Sequence, residues 1–376
     1  MSKKQRTWFL AASLTLVIGL GTVGALTGKV GGERYKVVGL FSQVVSLVRS
    51  SYVEEVPVQK LEEGAIAGLV GSADPQGTWV PETYARDFAN YQKRPLPPFG
   101  LVLGTRSSYP VVLQVLPGSA AADAGLQPGE LFERIGGQPV RARPLWRAVA
   151  VLEAAEREGK SLAADVIARD LSGKRPVTLQ PGKAGDPSPQ VTRQEGAAVV
   201  RLPAITQMHA ARLATLLPAA DTPVVLDLRG TALGTPEGAV EAAAVLAGGE
   251  FKLELLAKTG PPLVVRGSKP STGRRVVVCL DHTTSRAAEW LAFLLSQRGF
   301  PTVGVETFGD TGVRESLPAA DGELWVARYF LMGHEQKPLL GRGLKPVTLV
   351  RPFGEGDPIL QKALELARGE EKAKAA

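Results

Sequence analysis

Cysteine is almost absent from this chain: among 376 residues there is one, Cys279. A lone cysteine excludes an internal disulfide and a cysteine-based metal cluster. Its place inside the apolar run Val276–Leu280 marks it as a small buried hydrophobe. Histidine is nearly as scarce, at three residues, and no group of His, Asp and Glu has the spacing of a metal site. No Gly-rich phosphate loop is readable, so no metal, nucleotide or other cofactor is expected. Lysine is missing between Lys269 and Lys337. The formal charge of +7 is spread along the chain, with no Lys/Arg run interleaved with aromatics. That distribution argues against nucleic acid as a partner.

What is present fits a globular protein with substantial loops: 44% apolar residues and 28 prolines. The length allows about two to three domains. Lys3, Lys4 and Arg6 precede Trp8–Leu26, a stretch without a charge. As a helix, that stretch matches the hydrocarbon thickness of a bilayer, about 30 Å. Positive residues before it place the N-terminus in the cytoplasm and the remaining chain outside the membrane. Residues 1–32 are therefore read as a signal anchor, a single transmembrane helix. Val23-Gly24-Ala25 offers a cleavage site, in which case the chain is secreted. Residues 33–94 read as a helical segment. Helical spacing of Val38, Phe41, Val45 and Val48 predicts one helix over Tyr35–Ser50, and a second is expected over Val58–Val70. The phrase Ala73-Asp74-Pro75-Gln76-Gly77-Thr78-Trp79 is a turn.

Residues 95–180 carry regular punctuation. Pro117-Gly118 turns the chain, Ala120–Ala124 is a short helix, and Gly125 ends it. Pro128-Gly129 turns into a strand, and Gly136-Gly137 makes a hairpin. Trp146–Glu156 is a longer helix. Residues 181–196, rich in Pro, Gly, Gln and Ser, read as a linker. Residues 197–352 alternate strands and helices, with strands at Ala197–Leu202, Val224–Leu228, Val276–Leu280, Thr302–Val305 and Glu323–Met332. Thr235-Pro236 starts a helix as N-cap and first residue. Asp281–Ser285 is a polar turn between a buried strand and the helix Arg286–Arg298, where α/β folds place their chemistry. Residues 353–376 hold a last helix, capped by Asp357-Pro358, and a charged tail.

These phrases in this order resemble the carboxyl-terminal processing (tail-specific) serine proteases, over about Tyr35–Leu366. Val115–Val140 is similar to a bacterial PDZ domain. Asp227-Leu228-Arg229 resembles the family's Asp-Leu-Arg phrase, and Leu340–Pro346 its closing phrase. The resemblance implies a mixed α/β core with an inserted PDZ domain and an N-terminal helical segment. It also implies a nucleophilic serine at the position of Arg286, a general-base lysine at Asp310 and an orienting glutamine at Arg314. The oxyanion turn falls on Leu233 and Gly234. The peptide-carboxylate loop of the PDZ domain falls on Phe99, Gly100, Leu101 and Val102.

The frame matches and the reactive groups do not. A serine nucleophile needs a base to take its proton. Asp310, flanked by arginines, is held ionised and is a weak one. An Arg286–Asp310 ion pair within hydrogen-bond reach is expected in place of the dyad. Two accounts of Ser285 and His282 compete: a substitute nucleophile and base, or a helix N-cap and a polar turn residue. The substitutions favour the second. The resemblance then implies an extracytoplasmic, membrane-anchored homologue without peptidase activity. It would bind peptide C-termini or extended segments through its PDZ groove, with an active protease of the family as a further partner. The competing readings are an active serine endopeptidase cleaving envelope proteins and a structural component of an envelope assembly.

Overall fold

The computed structural model describes residues 38–319, 321–352 and 356–369. The expected membrane segment Trp8–Leu26 lies outside them. No helix among the described residues is long and apolar enough to cross a membrane. The chain divides into two compact units, Met1–Ile66 and Ala67–Ala376. The first contains a helix over 38–51, where a helical pattern is expected. The next helix, Val58–Ala73, runs three residues beyond the expected Val70.

The larger unit is built on a six-stranded sheet. Its parallel strands run in the order Thr348–Leu349, Thr302–Gly304, Val276–Leu280, Val224–Asp227, Ala197–Arg201. Period-2 alternation sorts their side chains to two faces. Val224, Leu226, Val276, Val278 and Leu280 pack under the helices Pro236–Ala247 and Ala287–Gln297. Val225, Val277, Cys279 and Val303 pack under the last helix, Pro358–Arg368. Both faces are therefore apolar, which is why these strands read as continuous hydrophobic runs. Each such Val or Leu contributes about 1.5–3 kcal/mol through burial.

The sixth strand corrects the expected linker. Gln190–Gln194 pairs antiparallel with Ala197–Arg201 at the sheet edge. The turn between them is Glu195-Gly196, with φ of 49° and 81°. Positive φ at both central residues is the geometry of a tight hairpin turn, which glycine favours. Only residues 180–189 connect.

A second sheet explains how the PDZ unit is inserted. Thr78–Pro81 pairs antiparallel with Gly322–Leu331, next to Gly249–Ala257, Leu263–Lys269 and Val313–Ala319. The segment after Ala73 thus belongs to the core rather than to a separate helical piece. The helix Glu82–Lys93 then leads to Leu101–Arg106, the first strand of a six-stranded sheet that ends at Leu179. This sheet closes on the helix Leu145–Arg157 around Phe99, Leu101, Phe132, Ile135 and Leu152.

Candidate functional site

The polar turn 281–285 is fixed by its own side chains. Thr283 N–H and Oγ1 donate to Asp281 Oδ1 at 2.8 and 2.5 Å, and Asp281 N–H donates to Thr284 Oγ1 at 3.0 Å. The turn delivers Arg286 to the N-cap of the helix Ala287–Gln297 with φ 51°. A non-glycine residue at positive φ is strained by about 1–2 kcal/mol, so the surrounding structure holds it there. Arg286 Nε donates to Asp310 Oδ2 at 2.8 Å, meeting the expectation of an ion pair.

The chain of charge continues. Arg314 Nη1 donates to the other oxygen of Asp310 at 2.5 Å, and Arg314 also grips Asp74 with both prongs at 2.9 and 2.7 Å. Asp310 is fully buried and Asp74 nearly so. Burial pushes the Asp310 carboxyl up, but Arg314 and Arg286 outweigh it and hold it below the usual carboxylate range. Burial lowers Arg314, and the two aspartates more than reverse that. Asp310 and Arg314 thus hold each other ionised, and the Arg314–Asp74 contact is two-pronged.

Glu289 organises the loop that carries Asp310. Its carboxyl accepts from Arg286 N–H at 3.2 Å, Gly309 N–H at 2.7 Å, Asp310 N–H at 2.8 Å and the Thr307 hydroxyl. Burial pushes Glu289 up to about 8, against these donors.

The oxyanion-equivalent turn is occupied from within the protein. The Ala232 and Leu233 N–H groups both donate to Gln114 Oε1 at 3.0 Å. Gln114 comes from the PDZ strand Tyr109–Val115, is buried, and donates its own amide to Pro203 O. Leu233 keeps ordinary backbone geometry; the constrained residue is Gly234, at φ 149°. A Cβ on Gly234 would lie 2.3 Å from Ile205 O. Around Gln114, Val102, Val111 and Leu113 of the PDZ sheet pack against Ala232, Leu233 and Phe308. Arg169 bridges to Asp281 at 3.2 Å. The PDZ unit therefore sits directly over the turn and the ion chain.

The alternative pair is not assembled. Ser285 is fully buried. Its Oγ has no hydrogen-bond partner among the described residues, while His282 is exposed. Ser285 is also not the N-cap; Arg286 holds that position. Partial desolvation of the imidazole, then Arg106, lowers the His282 pKa.

The expected peptide-carboxylate loop needs a second correction. Phe99, Gly100, Leu101 and Val102 are buried. The Phe99 N–H donates to Glu156 Oε1 at 3.0 Å, so a side-chain carboxylate already sits on the loop. Arg94 holds Glu156 and Glu153 at 2.9 and 2.6 Å.

With this geometry in hand, known proteins place the chain. Residues 111–163 match the PDZ domain family. Over 359 residues the chain is 23% identical to the carboxy-terminal processing protease CtpA of Bacillus subtilis strain 168, covering 90% of this chain and 74% of that protein. It is 22% identical to CtpB of the same organism, covering 93% and 75%. The photosystem II D1 C-terminal processing protease superposes with a TM-score of 0.63 at 17% identity, over 87% of this chain and 96% of that one. Over nine-tenths of its length the chain is similar to carboxyl-terminal processing proteases. Within that family's frame, Arg286, Asp310 and Arg314 stand where the resemblance expects nucleophile, base and orienting residue.

Sequence reasoning missed Asp74, Gln114, Glu156 and Glu289 as site residues. Gln114 carried a signal: it is the one polar residue in the strand Tyr-Pro-Val-Val-Leu-Gln-Val.

Proposed function

We propose that this family member binds polypeptide without cutting it, as an extracytoplasmic protein anchored by Trp8–Leu26. The observation that carries the loss of chemistry is Asp310, fully buried between two guanidinium groups. A carboxylate so paired does not accept a serine proton near neutral pH. Leu233, on the oxyanion-equivalent turn, already spends its N–H on Gln114. A bound acyl oxyanion would have to displace that amide.

Binding is assigned to the PDZ unit, whose family takes extended or C-terminal peptides by strand addition. An active relative of the protease family is one class of partner that this arrangement suits, since its substrates present the same peptide ends.

Treatment of the full chain with a serine-reactive fluorophosphonate tests the inactive reading. No labelling and no cleavage of unfolded polypeptide is expected. Labelling at Ser285 would overturn it. Membrane placement is checked by fractionation of cells and by protease access from outside the cytoplasmic membrane. Digestion restricted to the cytoplasmic side would refute it.

One observation favours a different reading, a structural member of an envelope assembly. Glu156 fills the carboxylate loop that a peptide terminus would need.

A further inference from the structure

The PDZ strand Leu101–Arg106 has one edge paired with Tyr109–Val115. Gly100 O accepts from Leu116 N–H at 2.9 Å, which sets the register. Alternation then turns the backbone groups of Leu101, Leu103 and Thr105 to the other edge. That is the edge a peptide strand would extend.

Both Thr105 groups and the Leu101 N–H are already taken. The Gln76 side chain meets Thr105 twice: Oε1 accepts from Thr105 N–H at 2.7 Å, and Nε2 donates to Thr105 O at 2.8 Å. This is the hydrogen-bond pair one residue of an added strand would make. The Tyr91 hydroxyl faces the Leu103 backbone, which pulls its pKa down against the larger opposing effect of burial. The Leu101 N–H is turned onto Pro98 O. Glu156 supplies a carboxylate to Phe99 N–H where a peptide terminus would supply its own.

Two of the holders, Gln76 and Tyr91, come from outside the PDZ unit. Gln76 belongs to the turn 74–77, and Tyr91 to the helix Glu82–Lys93. That helix packs Phe88 against Trp146 and Val149 of the groove helix and against Trp325 of the core. Asp74 receives Gln76 N–H at 3.0 Å while held by Arg314. The turn that closes the edge is thus tied to the ion chain through Asp74.

We propose that the PDZ groove is closed by an internal mimic of its ligand: Gln76 and Tyr91 stand in for a peptide strand and Glu156 for its terminal carboxylate. A polypeptide C-terminus enters only when the PDZ strand edge parts from the Gln76 turn and from the helix Glu82–Lys93. This rests on the peptide-binding reading above. A closed state that dominates the open one by a given factor weakens apparent affinity by that factor.

The test uses the full chain and two fluorescent ten-residue peptide pools, randomised in their last four positions. One pool ends in a free carboxylate, the other in an amide. Gln76→Ala with Tyr91→Phe and Glu156→Ala removes the edge contacts and the internal carboxylate while sparing the packing of Phe88. Fluorescence anisotropy should show at least about tenfold tighter binding of the free-carboxylate pool to the variant, with the amide pool unchanged. Equal binding to wild type and variant would overturn the closure and leave peptide binding standing. Failure of both to bind, with faster amide exchange at Leu103 and Thr105 in the variant, would overturn peptide binding and the closure with it. A third measurement needs no variant: Leu103 and Thr105 amides of the unmodified protein should be protected from exchange. Rapid exchange at both would refute the closure.

Discussion

Where the family resemblance expects a nucleophile and a base, Arg286 and Asp310 carry opposite charges that satisfy each other. Removing one partner leaves the other buried and uncompensated. Asp310→Asn should therefore cost about 3–5 kcal/mol of folding stability, read by urea unfolding. The two buried acids also give opposite pH slopes. Asp310 is held below its ordinary value, so its contribution is present above the unfolded carboxyl pKa and is lost as pH falls through the folded one. Glu289 is raised to about 8 from 4.5, so its contribution is full below 4.5 and declines as pH climbs to about 8. The slope follows from which state binds more protons. Unfolding free energy should fall between pH 5 and 8, and Glu289→Gln should flatten that fall, with its loss of stability greatest at the acid end.

At the scale of elements, the parallel strands were legible because both faces are apolar, and the caps because Thr235 and Asp357 are ordinary capping residues. The edge hairpin was not. Gln190–Gln194 is largely exposed, so it carries no burial pattern and its composition imitates a linker. Glu195-Gly196 was the signal that could have found it. Gly196→Ala should cost about 1 kcal/mol by forcing a side chain into positive φ, again measured by urea unfolding. The strands Gly249–Ala257 and Leu263–Lys269 were passed over too, although Phe251, Leu253 and Leu255 alternate inward. In the site, residue identities at Arg286 and Asp310 were readable from motif position alone. Asp74, Gln114 and Glu156 were not, because their partners lie 240, 118 and 57 residues away in sequence. Distance in the chain hides a hydrogen bond that only tertiary structure creates.

For the molecule as a whole, Gln114 and Arg169 are polar ties between PDZ unit and core, set beside a small apolar contact. Gln114→Ala takes the partner from the buried Ala232 N–H, the part-buried Leu233 N–H and Pro203 O, a loss of about 1–3 kcal/mol for each buried group stranded. The wild type should unfold in one calorimetric transition. Gln114→Ala with Arg169→Ala should split it in two, with faster proteolysis in 180–189.

Cys279 has a practical consequence. It is wholly enclosed between the central sheet and the last helix, and burial raises its pKa well above the usual thiol value. Maleimide reagents attack the thiolate, so the native fold should be inert to them. A fluorophore attached through a cysteine introduced at exposed Ser107, near the PDZ strand's end, would report local opening without background from the protein's own sulfur.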